Sequence, residues 1–188
     1  TGQDGRISIL GLRDYSTIEL IKGASKSEPQ AFAETVVPYL LTVMKATSLE
    51  RRRGGLVYDS HFSVRLRSEA GIDRVDDALY SGATDALASW ALAAPAAAEP
   101  LLRTLAASKY DSAQALLFRA LIAGAAHFTS WAAELILEGG SRLESGYVSD
   151  SHWLSREVVE AIAPLVSDDI HARLEDELRD LRNPYESF

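Results

Sequence analysis

The sequence predicts an all-α fold of antiparallel helix pairs, about seven helices in 188 residues. Three observations carry that prediction. Short polar side chains recur at the spacing that caps a first helical turn. Apolar residues repeat with helical rather than strand period. Pro and Gly fall between those periodic stretches instead of inside a regular two-residue alternation.

Taken in order, Ser16 with Glu19 and Ser27 with Gln30 have capping-box spacing, which predicts helices over about 16–24 and 27–46. Phe32, Val36, Leu40 and Met44 form the apolar stripe of the second, and Pro38 is expected to kink it. A third helix is expected over about 71–94, with Ile72, Val75, Leu79, Ala86 and Trp90 on one face. Asp73, Asp76 and Asp77 near its start suit the positive end of the helix dipole. Pro95 and Pro100 then break an Ala-rich run and leave a short helix at about 99–108.

Asp111 with Gln114 opens a long helix predicted over about 111–138, stopped by Gly139 and Gly140. Its stripe of Leu117, Leu121, Gly124, Phe128, Trp131 and Leu135 runs beside a second, small-residue surface of Leu116, Ala120, Ala123 and Ala126, so it should be central and heavily packed. Two further helices are expected at about 151–166 and 168–183, with Ile170, Leu174 and Leu181 facing inward on the last. Segments 99–138 and 151–183 share a plan of apolar helix, tight polar turn and amphipathic helix. That plan fits a HEAT-like α-solenoid segment with a period of roughly 40 residues; a compact helical bundle is the alternative.

Hydrophobic residues make up 47% of the chain and charged residues 24%, which are globular proportions sufficient for one domain spanning 1–188. No Cys is present, so disulfide and thiolate chemistry are excluded and a cytoplasmic setting is expected. The opening TGQDGRISIL lacks both an initiator Met and a signal-peptide pattern and reads as the start of an excised fragment. Ala115 to Ala126, the most apolar run, is about twelve residues long and contains Arg119, whereas a bilayer span needs about twenty. No membrane role is expected. The net charge of −8 opposes nonspecific binding to nucleic acid.

The exception is the stretch 47–70, which fits no helix and reads as a long loop or a small hairpin insertion, with alternation at Leu56 to Tyr58 and Ser63 to Leu66. It sets Arg51, Arg52, Arg53, Arg65 and Arg67 among Tyr58, His61 and Phe62, five positive charges against the acids Glu50, Asp59 and Glu69. Arginines mixed with aromatic rings can grip phosphates and stack bases. Arginines in loops are also commonly solvated or paired with acids, and this chain has many acids. Arg51, Arg52, Arg53, Tyr58, His61, Arg65 and Arg67 are the candidate binding residues.

The run Tyr110-Asp111-Ser112-Ala113-Gln114-Ala115-Leu116-Leu117-Phe118-Arg119-Ala120, with Gly146-Tyr147, Trp153 and Arg156 to Pro164, resembles the helical-repeat region of large bacterial ATP-binding proteins of the NACHT/STAND type. Ala172 to Glu175 and Asn183 to Glu186 extend the likeness, which covers about 99–186. It implies a protein-recognition or scaffolding segment of a larger ATP-dependent defence or signalling protein, with a foreign, often viral, protein as partner. No GxxxxGK[ST] sequence is present, so any ATPase activity would reside elsewhere in such a protein.

Catalytic and metal chemistry find weaker footing. His127, Glu134 and Glu138 share a helix face but lack the His-x-x-x-His or Glu-x-x-His spacing of a metal site. Asp76 and Asp77 have no third Asp and no second cluster to match the aspartate-rich motif of prenyl-diphosphate enzymes. Ser149, Asp150, Ser151 and His152 are adjacent, whereas a hydrolytic triad converges from separate elements. The chain is therefore expected to be no enzyme and to need no metal or cofactor. The alternative is a self-contained helical enzyme or small-ligand-binding bundle.

Overall fold

The computed structural model describes residues 13–53, 55–63, 72, 74–138, 142–143, 145 and 153–180. Helix α1 (Tyr15–Ser27) is capped by Asp14, whose carboxylate accepts from the Ser16 amide at 3.1 Å and from the Thr17 hydroxyl. Ser16 therefore lies in the first turn instead of capping it, because the carboxylate is the stronger acceptor for a free amide. The Thr17 hydroxyl bond holds the Asp14 carboxyl below its ordinary range. Helix α2 (Pro29–Ala46) begins on a proline whose ring presets the helical φ, so Ser27 closes α1 and does not open α2. It continues through Pro38.

Two strands follow, β1 (Ser48–Arg53) and β2 (Leu56–Asp59), paired antiparallel as a hairpin. Gly55 supplies the φ of 93° at the turn. The arginine run thus stands on a strand, ahead of the alternating residues Leu56 to Tyr58 that suggested a hairpin.

Helix α3 (Val75–Ala93) leads into α4 (Pro95–Ala106) across a single residue, Ala94. Here Pro95 starts the helix instead of breaking it, and Pro100 is accommodated within it. Pro100 and Ala96, whose carbonyl loses its partner to that ring, are both exposed, where water can satisfy the oxygen.

The predicted 111–138 helix is two helices, α5 (Asp111–Ala123) and α6 (Ala125–Leu137), broken at Gly124. A side chain at Gly124 would come within 2.8 Å of the Phe128 ring and 3.0 Å of the Ala91 carbonyl oxygen. At the break the Phe128 ring closes onto the bare backbone of Gly124. Helix α7 (Trp153–Ile162) ends in a 3-10 turn over Ala163–Leu165, and α8 (Asp168–Asp180) follows.

Eight helices are thus present among the described residues. Packing alternates along the chain: α1 against α3, α3 against α5, and α5 against α7, with α2 also on α3 and α6 on α7 and α8. One core runs through α2, α3, α5 and α7, an arrangement more like the compact bundle that stood as the alternative than an extended open solenoid. Helix α5 is its axis, and nine of its residues, Ser112 to Phe118, Ala120 and Leu121, are buried. They pack with Val37, Leu40 and Met44 of α2, Leu87 and Trp90 of α3, and Val158 and Ile162 of α7 in one core. No helix among the described residues is long and apolar enough to cross a membrane.

Candidate functional site

The hairpin is joined to the bundle by a buried polar cluster at the N-terminal ends of α3 and α5. Strand β2 supplies Leu56, Val57 and Asp59 to the interior, and the turn after it supplies His61, Phe62 and Ser63. Asp59 is wholly buried and is the centre of the cluster. Its Oδ1 accepts from the amides of His61 (3.1 Å) and Phe62 (2.6 Å), an Asx-type turn that ends the strand. Its Oδ2 accepts from the Ser63 hydroxyl at 2.8 Å and from the Ser112 hydroxyl in the first turn of α5. The two hydroxyl oxygens lie 3.2 Å apart. A buried carboxylate is costly unless its lone pairs are satisfied, and here four donors converge on it.

A second buried carboxylate adjoins it. Asp76, in the first turn of α3, receives Arg74 through two bonds (Nε to Oδ1, 3.1 Å; Nη2 to Oδ2, 3.0 Å). His61 Nε2 lies 2.6 Å from Asp76 Oδ2 on the other side. The helix dipole accounts for a carboxylate at this place in sequence; the Arg74 and His61 contacts account for its burial.

Rings complete the joint. Phe62 stacks on Tyr80 at 5.0 Å between centroids, and the His61 ring meets Phe62 edge-on at 4.6 Å. The Tyr80 hydroxyl donates to the Ser112 carbonyl at 2.8 Å. Burial pushes the Tyr80 phenol well above its ordinary range, and the carboxylates of Asp59 and Asp111 push it further, against a smaller opposing pull from Arg119. On the outer side of β2, the Val57 amide donates to the Lys109 carbonyl at 2.7 Å, and Val57 forms a parallel bridge with Tyr110. The turn is also tied to the end of α2, since the amide and hydroxyl of Ser60 both donate to the Thr47 carbonyl (3.0 and 3.1 Å).

A second polar knot lies near the same end of α5. The Gln114 side-chain amide donates to the carbonyls of Leu105 (2.9 Å) and Ser108 (2.6 Å), closing the C-terminal end of α4. Arg142 donates to the Ala106 carbonyl (3.0 Å), Gln114 Oε1 (3.2 Å) and Glu138 (3.0 Å). It thereby ties the segment after α6 to the ends of α4 and α6.

The predicted binding residues separate. Arg51, Arg52 and Arg53 stand on β1, Tyr58 is half-buried on β2, and His61 is turned inward against Asp76. Arg65 and Arg67 lie outside the described residues, as do Ser149, Asp150, Ser151 and His152. His127, Glu134 and Glu138 are exposed on and just beyond α6, and among the described residues no group of three or more acidic or His side chains is placed to hold a metal. Trp90 is core; Trp131 and Trp153 are half-buried beneath the guanidinium groups of Arg103 (4.8 Å) and Arg119 (4.9 Å).

Sequence reasoning missed Asp59, Ser63 and Ser112. The local signal was there in Asp59-Ser60-His61-Phe62-Ser63, an Asp closing an alternating strand with Ser four positions on. The contact to Ser112 spans 53 positions and has no local signature. No family model matches the chain, and neither a curated protein nor a solved structure matches it.

Proposed function

We propose that this chain is a self-contained helical domain that acts by binding, with the hairpin as a fixed arm for a protein partner that carries clustered negative charge. The observation that carries the reading is the Asp59 joint: four hydrogen bonds and a bridge from β2 to Tyr110 hold one side of the hairpin. The other side is β1, which bears Arg51, Arg52 and Arg53. Interleaved packing of the helices favours a self-contained bundle over a repeat segment of a larger ATP-binding protein. A protein partner is favoured over nucleic acid because 27 acidic against 19 basic residues would repel a long anionic polymer everywhere but at the arm.

The reading is non-catalytic because the polar groups of the buried cluster are engaged in structure. Both Asp59 oxygens carry donors, the Ser112 hydroxyl is spent on Asp59, and His61 and Arg74 are held by Asp76.

The test uses the full chain with Arg51, Arg52 and Arg53 all changed to Ala. Its thermal stability should stay close to that of the parent, with a loss within about 0.5 kcal/mol for each substitution. Binding to labelled poly-glutamate, followed by fluorescence anisotropy, should weaken, and the difference should be widest at low salt. Equal binding by parent and variant would remove the arm from the account. Marked unfolding of the variant would make the arginines structural.

A further inference from the structure

The hairpin's hydrogen-bond register identifies how such a partner would dock. In an antiparallel pair, residues alternate between positions that exchange both backbone bonds with the opposite strand and positions that exchange none. Arg53 pairs with Leu56 across the turn, and Arg52 pairs with Val57. The Val57 amide is directed away from β1, since it donates to the Lys109 carbonyl at 2.7 Å. Arg52 and Val57 are therefore a non-bonded pair, and the N–H and C=O of Arg52 face the opposite edge, away from β2. Among the described residues the sheet has two strands only, so nothing there pairs with that edge. The two edges of the hairpin thus differ: that of β2 is bridged to Tyr110, and that of β1 carries no further strand among the described residues.

We infer that this edge of β1 takes up an extended acidic segment of the partner protein as a third strand, bonded to the backbone of Arg52 and selected by the charge of Arg51, Arg52 and Arg53. Strand addition draws affinity from main-chain bonds and selectivity from side chains. The charge complementarity lies in the strand's composition: its six residues carry three arginines against one glutamate, in a chain of net charge −8. An extended acidic segment would gain at β1 what the rest of the surface denies it. The inference rests on the proposed binding role of the hairpin, and it adds the conformation of the bound segment. The competing account is that the arginines and the irregular register between Ser48 and Arg52 only protect an edge from pairing with other chains, as natural edge strands do.

The experiment compares parent, R52P, R52K and the triple alanine variant as full chains. The probe is a labelled peptide of alternating Glu and Val, together with the same peptide N-methylated at alternate residues on one edge. Proline at position 52 removes a donor that β2 does not use, so β1 and β2 should stay paired. The parent should bind the plain peptide and lose about fivefold or more in affinity for the methylated one, the scale of one lost backbone bond. R52P should lose a similar factor, R52K should stay within about twofold, and the triple variant should lose at least about tenfold. Equal affinity of the parent for plain and methylated peptide overturns strand addition, and that arm holds even if R52P does not fold. Loss in the triple variant without loss in R52P or on methylation also overturns it while leaving the charged arm standing. Failure of the parent to bind any acidic peptide overturns both readings and returns β1 to edge protection. Tighter binding of a single-stranded oligonucleotide of equal charge overturns the choice of a protein partner.

Discussion

The two ends of α5 hold the same helix in place by different means. At the N-terminal end, Ser112 and Gln114 are fully buried polar side chains, and they reach Asp59 and the closing carbonyls of α4. At the C-terminal end, Ala120, Leu121 and Gly124 are enclosed by contact alone, with the Phe128 ring and the Ala91 carbonyl closing on the bare glycine. The first end is specified by buried donors and acceptors; at the second the buried contacts are set by volume, with the half-buried Arg119–Glu157 pair joining α5 to α7 at 2.5 Å beside them. A hydrogen-bonded joint tolerates few partners and so fixes one arrangement; a packed joint accepts any side chain of the right size. The hairpin sits at the specified end, where its orientation to the bundle is set.

The contrast can be broken from either side, and the largest effect is expected at Asp59. Asp59→Ala leaves two buried hydroxyls and two amides without their acceptor, and an unsatisfied buried group costs about 1–3 kcal/mol. Partial relaxation should hold the total loss to about 4 kcal/mol, read from chemical denaturation. A loss below about 1 kcal/mol would mean that water replaces the carboxylate and that the joint is not specified by it.

Gly124→Ala probes the packed end. The added methyl group must displace the Phe128 ring or the Ala91 backbone, and overpacking of this kind costs about 1–3 kcal/mol. A smaller partner should restore the loss, as in the double variant with Phe128→Leu, whereas nothing that changes only volume should restore Asp59→Ala. Rescue of both would erase the distinction between the two ends.

Tyr80→Phe should cost least, about 1 kcal/mol for the bond to the Ser112 carbonyl. It carries a pH signature as well. The phenol is raised in the folded chain, so the fold holds its proton where the unfolded chain has lost it. Stability from this group is whole below the unfolded value near 10 and declines as pH rises from there toward the folded value. The parent should therefore lose stability above about pH 10 more steeply than Tyr80→Phe, measured by denaturation across that range. Parallel curves would place the hydroxyl in water.

Much of the helical content was legible because its causes are local. Apolar period and proline punctuation located α2, α3 and α8 to within a few residues, and the crowding of α5 followed from its two apolar surfaces. Starts were misread where a stronger local device competed: Asp14 over Ser16, and Pro95 as a first helical residue instead of a breaker. The break at Gly124 was hidden because the residue falls in phase with the stripe, and only the approach of Phe128 and Ala91 shows why a glycine stands there. The alternate packing of the helices likewise leaves no mark on their spacing, so the same helices read equally well as a solenoid.

The candidate site was legible only as charge. The arginine run stood out, but a strand reading SLERRR has no alternation to announce it, and its partner strand is recruited by bonds that cross long stretches of chain. Asp59 looked like one acid among the arginines of a loop and proved to be the residue that anchors the hairpin.

The most direct measurement is amide hydrogen exchange, resolved by residue, on the parent chain and on Asp59→Ala. If the hairpin is fixed to the bundle through Asp59, the amides of Val57, His61 and Phe62 should exchange as slowly as those in the middle of α5. In the Asp59→Ala chain they should become fast while Leu116 to Ala120 remain protected. Fast exchange of the hairpin amides in the parent, with α5 still protected, would contradict the account.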